Sequence, residues 1–115
     1  MAPQYIRAHP SSSVRKSIEL EAFLNGCGNE WLRRKAEEKF SDLKSDYELG
    51  NKIVKSKWPR YYFRKWGIRN LYVCKLGADW RLTYALEYDG IGTSVWCLEI
   101  LTHREYDQRF GYRTS

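Results

Sequence analysis

The stretch that decides the fold covers residues 71–101 and reads LYVCKLGADWRLTYALEYDGIGTSVWCLEIL. Apolar and polar residues alternate there with a period of two, which predicts β-strands. Three segments show this alternation: Leu71–Leu76, Trp80–Tyr88 and Ser94–Leu101. The links between them, residues 77–79 and 89–93, are short and contain glycine. Because links this short join antiparallel neighbours, the stretch predicts a three-stranded antiparallel sheet.

The same alternation assigns side chains to the two faces of the predicted sheet. One face collects apolar positions, which are Tyr72, Cys74, Leu76, Trp80, Leu82, Tyr84, Leu86, Trp96, Leu98 and Ile100. The opposite face is expected to be polar and open to solvent, as is common in antiparallel sheets. Its residues are Lys75, Arg81, Thr83, Glu87, Cys97 and Glu99. This polar face carries two cations, Lys75 and Arg81, on adjacent strands.

Two amphipathic segments precede the strands and are expected to cover the apolar face. The first predicts a helix from about Val14 to Leu24, which the glycines of residues 26–28 end. Asn29 is suited to cap a second, longer helix, and Gly50 is suited to end it. The apolar stripe of that second helix consists of Leu32, Ala36, Phe40, Leu43 and Tyr47.

The remaining segments complete a single domain over residues 1–115. Residues 1–12 are expected to be extended or flexible, with a short edge strand over Gln4–Ala8. Lys52–Asn70 is expected to be a loop with one helical turn after Pro59. Thr102-His103-Arg104-Glu105 fits a capping box and predicts a short C-terminal helix. The predicted fold is α+β, with the order β-α-α-β-β-β, two N-terminal helices on one face of a small, mainly antiparallel sheet, and the short C-terminal helix.

Composition excludes several classes of protein. No run approaches the roughly 18 apolar residues of a transmembrane helix, and residues 1–7 contain no apolar segment of a secretory signal. We therefore expect a cytoplasmic protein without a membrane partner. Three cysteines and two histidines, without a Cys-x-x-Cys motif, argue against a disulfide framework and a structural zinc site. A Cys74–Cys97 pair stays open. The signatures of nucleotide-binding loops and of a nucleophile elbow are missing, so no metal or cofactor is expected.

Positive charge is concentrated in the second half of a chain whose net charge is +6. No acidic residue lies between Glu48 and Asp79. Seven cations precede the first predicted strand in this interval: Lys52, Lys55, Lys57, Arg60, Arg64, Lys65 and Arg69. Aromatic residues are interleaved with them: Trp58, Tyr61, Tyr62, Phe63 and Trp66. A positive field with aromatic faces is typical of RNA-binding surfaces, although a solvated basic surface or an acidic protein partner would also explain the charge.

Three segments in this order resemble the RelE/ParE toxin superfamily. They are NLYVCKL at Asn70–Leu76, WRLTY at Trp80–Tyr84 and LEILTHREY at Leu98–Tyr106. The resemblance covers roughly residues 14–112. It implies a small sheet backed by two helices, and a toxin that an antitoxin holds inactive. The RelE branch is similar to a ribosome-dependent ribonuclease that cuts mRNA.

The resemblance also implies roles for particular residues. Lys75 and Arg81 match the strand cations of the RelE branch, and Arg104 matches its basic residue after the last strand. Phe110 falls where that branch has a catalytic tyrosine, which leaves three candidates for the general base: Tyr112, Tyr106 and His103. The chemistry suits these residue types, because the 2′-hydroxyl of RNA can attack the adjacent phosphate without a metal ion. Guanidinium groups then stabilise the developing negative charge.

Two other functions remain open at this point. A ParE-like protein would inhibit a protein target such as DNA gyrase and would need no acid–base residue. A degenerate member would bind RNA without cutting it. In each case an antitoxin is expected as a partner, with an acidic segment that covers the basic face; the nuclease would also bind mRNA and the ribosome.

Overall fold

The computed structural model describes residues 9–111. In chain order its elements are β1 (Val14–Lys16), α1 (Ile18–Gly26), α2 (Glu30–Ser45), β2 (Asn51–Lys52), a 3₁₀ turn (Lys55–Lys57), α3 (Arg60–Trp66), β3 (Tyr72–Leu76), β4 (Trp80–Tyr88), β5 (Thr93–Thr102) and α4 (His103–Phe110). The strands form one sheet in the order β1-β5-β4-β3-β2, antiparallel except for β1 against β5. The predicted α+β class is confirmed, with the N-terminal helices packed on a mainly antiparallel sheet. The edge strand predicted at Gln4–Ala8 lies outside the described residues.

Helix α2 begins as predicted but ends earlier. The Asn29 side chain accepts a hydrogen bond from the backbone N–H of Leu32 at 3.0 Å, as an N-cap does. The helix ends at Ser45, and Asp46 is already extended, so Gly50 does not end it. Gly50 instead lies against β3 and β4, where its N–H donates to the Tyr84 hydroxyl at 2.9 Å.

The prediction of a helix that starts at Val14 is wrong. Val14–Lys16 forms β1, which pairs in parallel with β5, and α1 starts only at Ile18. Ser17 separates the two elements: its hydroxyl accepts from the Leu20 N–H at 3.0 Å and donates to the Leu98 carbonyl at 2.6 Å. The pairing satisfies the backbone groups of β1, and the cap sets where the helix begins.

A β-bulge in β5 changes the predicted faces of the sheet. Thr83 lies opposite Glu99, but Tyr84 lies opposite Cys97, so Leu98 is an extra residue in β5. Cys97 therefore packs against the N-terminal helices, whereas Trp96 and Leu98 pack on the other face. The predicted faces of these three residues are wrong, because a one-residue insertion reverses the alternation.

The face predicted to be polar and open is covered by a second helical layer, so that prediction is also wrong. Residues 52–70 form more than a loop with one turn, since α3 packs on this face together with α4. The second core consists of Ile53, Trp58, Tyr62, Ile68, Leu71, Val73, Ala85, Leu98, Leu101 and Tyr106. The apolar side chains of β3, β4 and β5 on this face explain the cover, because burying them removes apolar area from water.

One polar network crosses the second core and joins α3, β5 and α4. The Arg109 guanidinium donates to both carboxylate oxygens of Glu99, at 3.0 and 2.8 Å. The Tyr62 hydroxyl donates to the same carboxylate. Burial raises the pKa of Tyr62, and the charge of Glu99 raises it further. Tyr62 therefore stays protonated and acts as a donor.

The three cysteines differ in burial, and none of them forms a disulfide. All three thiols are free; Cys74 and Cys97 are buried and Cys27 is partly exposed, so a Cys74–Cys97 disulfide is absent. Burial raises the pKa of the Cys74 thiol to about 12.

Within residues 9–111, no helix has the length and apolar character needed to cross a membrane.

Candidate functional site

Two of the predicted site residues, Lys75 and Arg81, lie side by side at one end of the sheet. They are direct cross-strand partners in the β3–β4 register, and they flank the turn of residues 77–79. Directly opposite residues in an antiparallel pair share a face and lie within about 5.5 Å. The hairpin therefore places both cations on the same face of the sheet, next to the turn.

The Arg81 guanidinium is held by neutral partners and by a histidine. One of its nitrogens, Nη1, donates to the carbonyls of Ala78 at 3.1 Å and Trp80 at 3.0 Å. The other, Nη2, lies 2.9 Å from Nδ1 of His103. Among the residues that the structure describes, no carboxylate lies within ion-pair distance of Arg81. Its charge is thus available to an anion.

His103 is the first residue of α4, and three local features fix its position. Thr102 and Glu105 form the predicted capping box, with hydrogen bonds of 3.0 and 2.8 Å. The His103 backbone N–H donates to the Asp79 carbonyl at 2.6 Å, which ties the helix start to the β3–β4 turn. The imidazole Nε2 lies 3.1 Å from Oδ2 of Asp107, one helical turn further on.

These contacts determine which nitrogen of a neutral His103 ring carries the proton. A guanidinium has only donors, so Nδ1 accepts from Arg81 and the proton resides on Nε2, on the side of Asp107. The Asp107 side chain is only 10% exposed, whereas that of His103 is 52% exposed. A buried carboxylate behind an exposed imidazole holds the ring in one orientation.

Arg104 and the two tyrosines occupy different environments. Arg104 follows His103 in the first turn of α4 and is exposed, about 100° further around the helix axis. Tyr106 is 8% exposed and packs in the second core, and its role as a base stays a prediction. Phe110 lies 4.4 Å from the Tyr106 ring, centroid to centroid. Tyr112 lies outside the described residues.

The seven cations assigned to RNA binding are all exposed, and they lie on or next to the second helical layer. Lys52 belongs to β2, and Lys55 and Lys57 belong to the 3₁₀ turn. Arg60, Arg64 and Lys65 belong to α3, and Arg69 follows it. Lys65 is 3.1 Å from Glu19. The others have no ion pair within residues 9–111, so the surface keeps most of its positive charge.

A groove of about 600 Å³ lies between the 3₁₀ turn and the last turn of α4. Its lining consists of Ser56, Lys57, Trp58, Pro59, Gln108, Arg109, Phe110 and Gly111. Among the residues that the structure describes, none of those that line the groove is acidic. The groove thus lies at the C-terminal end of the helix whose N-terminal end carries His103.

Asp107 was not among the residues predicted for the site. The signal for it was present, because His103 and Asp107 are four apart in a predicted helix and so share one face. The groove could not be predicted, since it depends on how α3 and α4 pack. Within the described part of the chain, no group of three or more His, Cys, Asp or Glu side chains could hold a metal ion.

Comparisons with known proteins do not assign the chain to a family. No family model, curated protein or solved structure matches it. The resemblance to the RelE/ParE superfamily therefore stays an interpretation of three sequence segments.

Proposed function

We propose that the protein is a RelE-like toxin that cuts mRNA on the ribosome, without a metal ion, and that an antitoxin neutralises it. The observation that carries this proposal is the Arg81–His103–Asp107 arrangement beside Lys75. It combines an anion-binding guanidinium, an exposed imidazole and a buried carboxylate at the surface of one sheet end. These groups match the needs of RNA cleavage, which are charge stabilisation and proton transfer.

In the proposed reaction the RNA supplies its own nucleophile. The 2′-oxygen bonds to the adjacent phosphorus as the bond from phosphorus to the 5′-oxygen breaks. His103 Nδ1 takes the proton of the 2′-hydroxyl, and Asp107 stabilises the imidazolium that forms. Arg81 and Arg104 stabilise the negative charge on the phosphate oxygens. Lys75, on the neighbouring strand, donates to the departing 5′-oxygen.

The contact between Arg81 and His103 has a consequence for this reaction. In the free protein the guanidinium occupies Nδ1, the nitrogen that must accept the proton. A phosphate attracts the guanidinium more strongly than a neutral imidazole does, because the hydrogen bonds to it are charge-assisted. Substrate binding would thus draw Arg81 away and free Nδ1 for the 2′-hydroxyl.

The proposed partners follow from charge. The ribosome supplies an RNA environment that suits the positive surface of residues 52–69, and a ribosomal target would place the protein in the cytoplasm. An acidic antitoxin segment would bind over the same cations and block access to Arg81 and His103. Binding of either partner should weaken with salt, because phosphate and carboxylate contacts displace counterions.

A reconstituted translation system tests the proposal. The wild-type protein should arrest translation and cleave ribosome-bound message into fragments with a 5′-hydroxyl. Arg81→Ala and His103→Ala should each lower the cleavage rate on the order of 100-fold or more. Arg34→Ala is the matched control, because Arg34 is an exposed cation on α2, in the helical layer on the opposite face of the sheet, and it should cleave at the wild-type rate.

Three results would contradict the proposal. Intact message with normal translation would exclude the nuclease. Inhibition of DNA supercoiling in place of cleavage would favour the ParE-like alternative. Salt-sensitive binding of RNA without any product would favour the degenerate alternative.

A further inference from the structure

The groove between the 3₁₀ turn and α4 has the size and lining of a nucleotide subsite. Its volume of about 600 Å³ lies within the range of ligand sites in proteins, roughly 300–1,000 Å³. Phe110 and Trp58 provide aromatic surface, whereas Ser56 and Gln108 provide hydroxyl and amide groups. A lining that combines aromatic rings with a few polar groups is suited to a nucleobase, which has a flat face and a polar edge.

The charges at the groove distinguish a nucleic acid from an acidic peptide. Arg109 is neutralised by Glu99 and stacks over the Tyr61 ring at 4.0 Å. Lys57 is therefore the one cation of the lining that lacks an ion pair within residues 9–111. Inside the groove, one free cation matches the single phosphate of one nucleotide, whereas an acidic segment with several carboxylates suits the row of cations outside the groove.

The position of the groove relates it to the proposed reaction site. His103 and Arg109 are six residues apart on α4, which corresponds to about 9 Å along the helix. A stacked strand advances about 3.4 Å for each nucleotide. The rise along the helix is the minimum separation, so a strand whose phosphate lies at Arg81 and His103 would need at least two to three further nucleotides to reach the groove.

From these observations we infer that the groove binds an unpaired base of a single-stranded RNA. Gln108 contacts the edge of the base, Phe110 contacts its face and Lys57 pairs with its phosphate. A base that is paired in a duplex cannot enter, because its edge is already bonded and its faces are stacked. This inference adds to the proposed function a second contact site for the RNA, separate from Arg81 and His103.

The test measures binding of oligonucleotides that cannot be cut. A fluorescein-labelled 2′-O-methyl octamer lacks the attacking hydroxyl, so its fluorescence anisotropy reports binding whether or not the protein is a nuclease. Three probes are compared at one salt concentration: the single strand, its duplex and a sugar–phosphate chain of the same length without bases. The single strand should bind about fivefold more tightly than the other two, or better, since stacking contributes roughly 1–3 kcal/mol for each base.

Single substitutions then show which residues of the groove cause the preference for a strand with bases. In Gln108→Ala and Phe110→Leu, the affinity for the single strand should fall close to the affinity for the chain without bases. In Lys57→Ala, the affinities for these two probes should fall by about the same factor. Arg34→Ala should change none of these affinities. Gln108 is exposed and outside the core, so Gln108→Ala decides the test even if Phe110→Leu lowers the stability of the protein.

Several outcomes would overturn the inference. Equal affinities for the single strand and for the chain without bases would show that the bases contribute nothing and that charge alone causes binding. A Gln108→Ala variant that behaves like Arg34→Ala would place the base elsewhere. Binding of a polyglutamate peptide that depends on Lys57 and exceeds that of RNA would identify a peptide site. A failure of cleavage in the translation assay with base-dependent binding intact would refute the proposed function and leave this inference standing.

Discussion

Substitution of Gly50 by alanine should destabilise the protein more than any ordinary surface change. Gly50 has no side chain because none fits: a Cβ atom at this position would lie 2.7 Å from the Val73 carbonyl oxygen and 2.8 Å from the Tyr84 hydroxyl. Real Cβ atoms essentially never approach other atoms this closely. The backbone of residue 50 or the Tyr84 ring must therefore move.

The magnitude follows from what that movement breaks. The Tyr84 hydroxyl accepts from the Gly50 N–H at 2.9 Å and donates to the Tyr47 carbonyl at 3.0 Å. Two hydrogen bonds contribute about 1 kcal/mol each, and an added methyl group in a packed region costs about 1–3 kcal/mol. Because the two contributions overlap, Gly50→Ala should lower the free energy of unfolding by about 2–4 kcal/mol.

Urea-induced unfolding, followed by tryptophan fluorescence, measures this change. Gly26→Ala is the matched control: Gly26 ends α1, and nothing lies within 4 Å of its Cβ position. That control should leave stability unchanged or raise it by up to about 1 kcal/mol. A loss of less than 1 kcal/mol in Gly50→Ala, or equal effects at both glycines, would refute the reasoning.

Three further predictions concern the proposed site, the β4–β5 turn and the thiols. Asp107→Asn should lower cleavage on the order of 100-fold or more, because a carboxylate behind a catalytic histidine fixes the tautomer of the ring. The anisotropy of the 2′-O-methyl octamer should stay unchanged, and unaltered cleavage would remove Asp107 from the mechanism. The hydrogen bond from Ser12 and those from two backbone N–H groups lower the pKa of Asp89 to about 2. The stabilising contribution of Asp89 is thus complete above the unfolded pKa of about 4 and is lost as the pH falls through about 2. In Asp89→Asn, the free energy of unfolding in urea should therefore depend less on pH across that window. An unchanged pH dependence would contradict the role of these hydrogen bonds. In the native protein a thiol reagent should modify the partly exposed Cys27, and the two buried thiols should react only on unfolding. Mass spectrometry counts the labelled thiols, and rapid labelling of all three in the native protein would contradict the packing.

Local patterns were sufficient where local forces decide the structure. The stripe from Leu32 to Leu43 predicted α2, because an amphipathic helix needs only a period of 3.6 and a cap such as Asn29. The alternation predicted β4 to the residue and β3 within one. Thr102 and Glu105 predicted the start of α4, since a capping box is complete within four residues.

Part of the candidate site could also be predicted from local sequence patterns. Two cations on either side of the Gly77 turn must be cross-strand neighbours if the hairpin forms, so Lys75 and Arg81 could be paired from sequence. The contact between Arg81 and His103 could not be deduced, because it depends on the hydrogen bond that joins the start of α4 to Asp79. The burial of Tyr106 could not be deduced for a related reason, since it depends on how the second core packs.

By itself, the sequence determined the class of the fold, the three long strands, the helix α2 and the acid-free basic segment, all of which arise from the order of neighbouring residues. Only the tertiary structure decided which face of β5 holds Cys97, because the bulge at Leu98 shifts the alternation by one residue and no periodicity encodes where the shift occurs. It also decided that Tyr62 and the rest of residues 52–70 cover the second face of the sheet. That cover buries the apolar side chains of this face. Groups distant in sequence, Glu99 and Arg109 among them, satisfy the polar atoms that are buried with them.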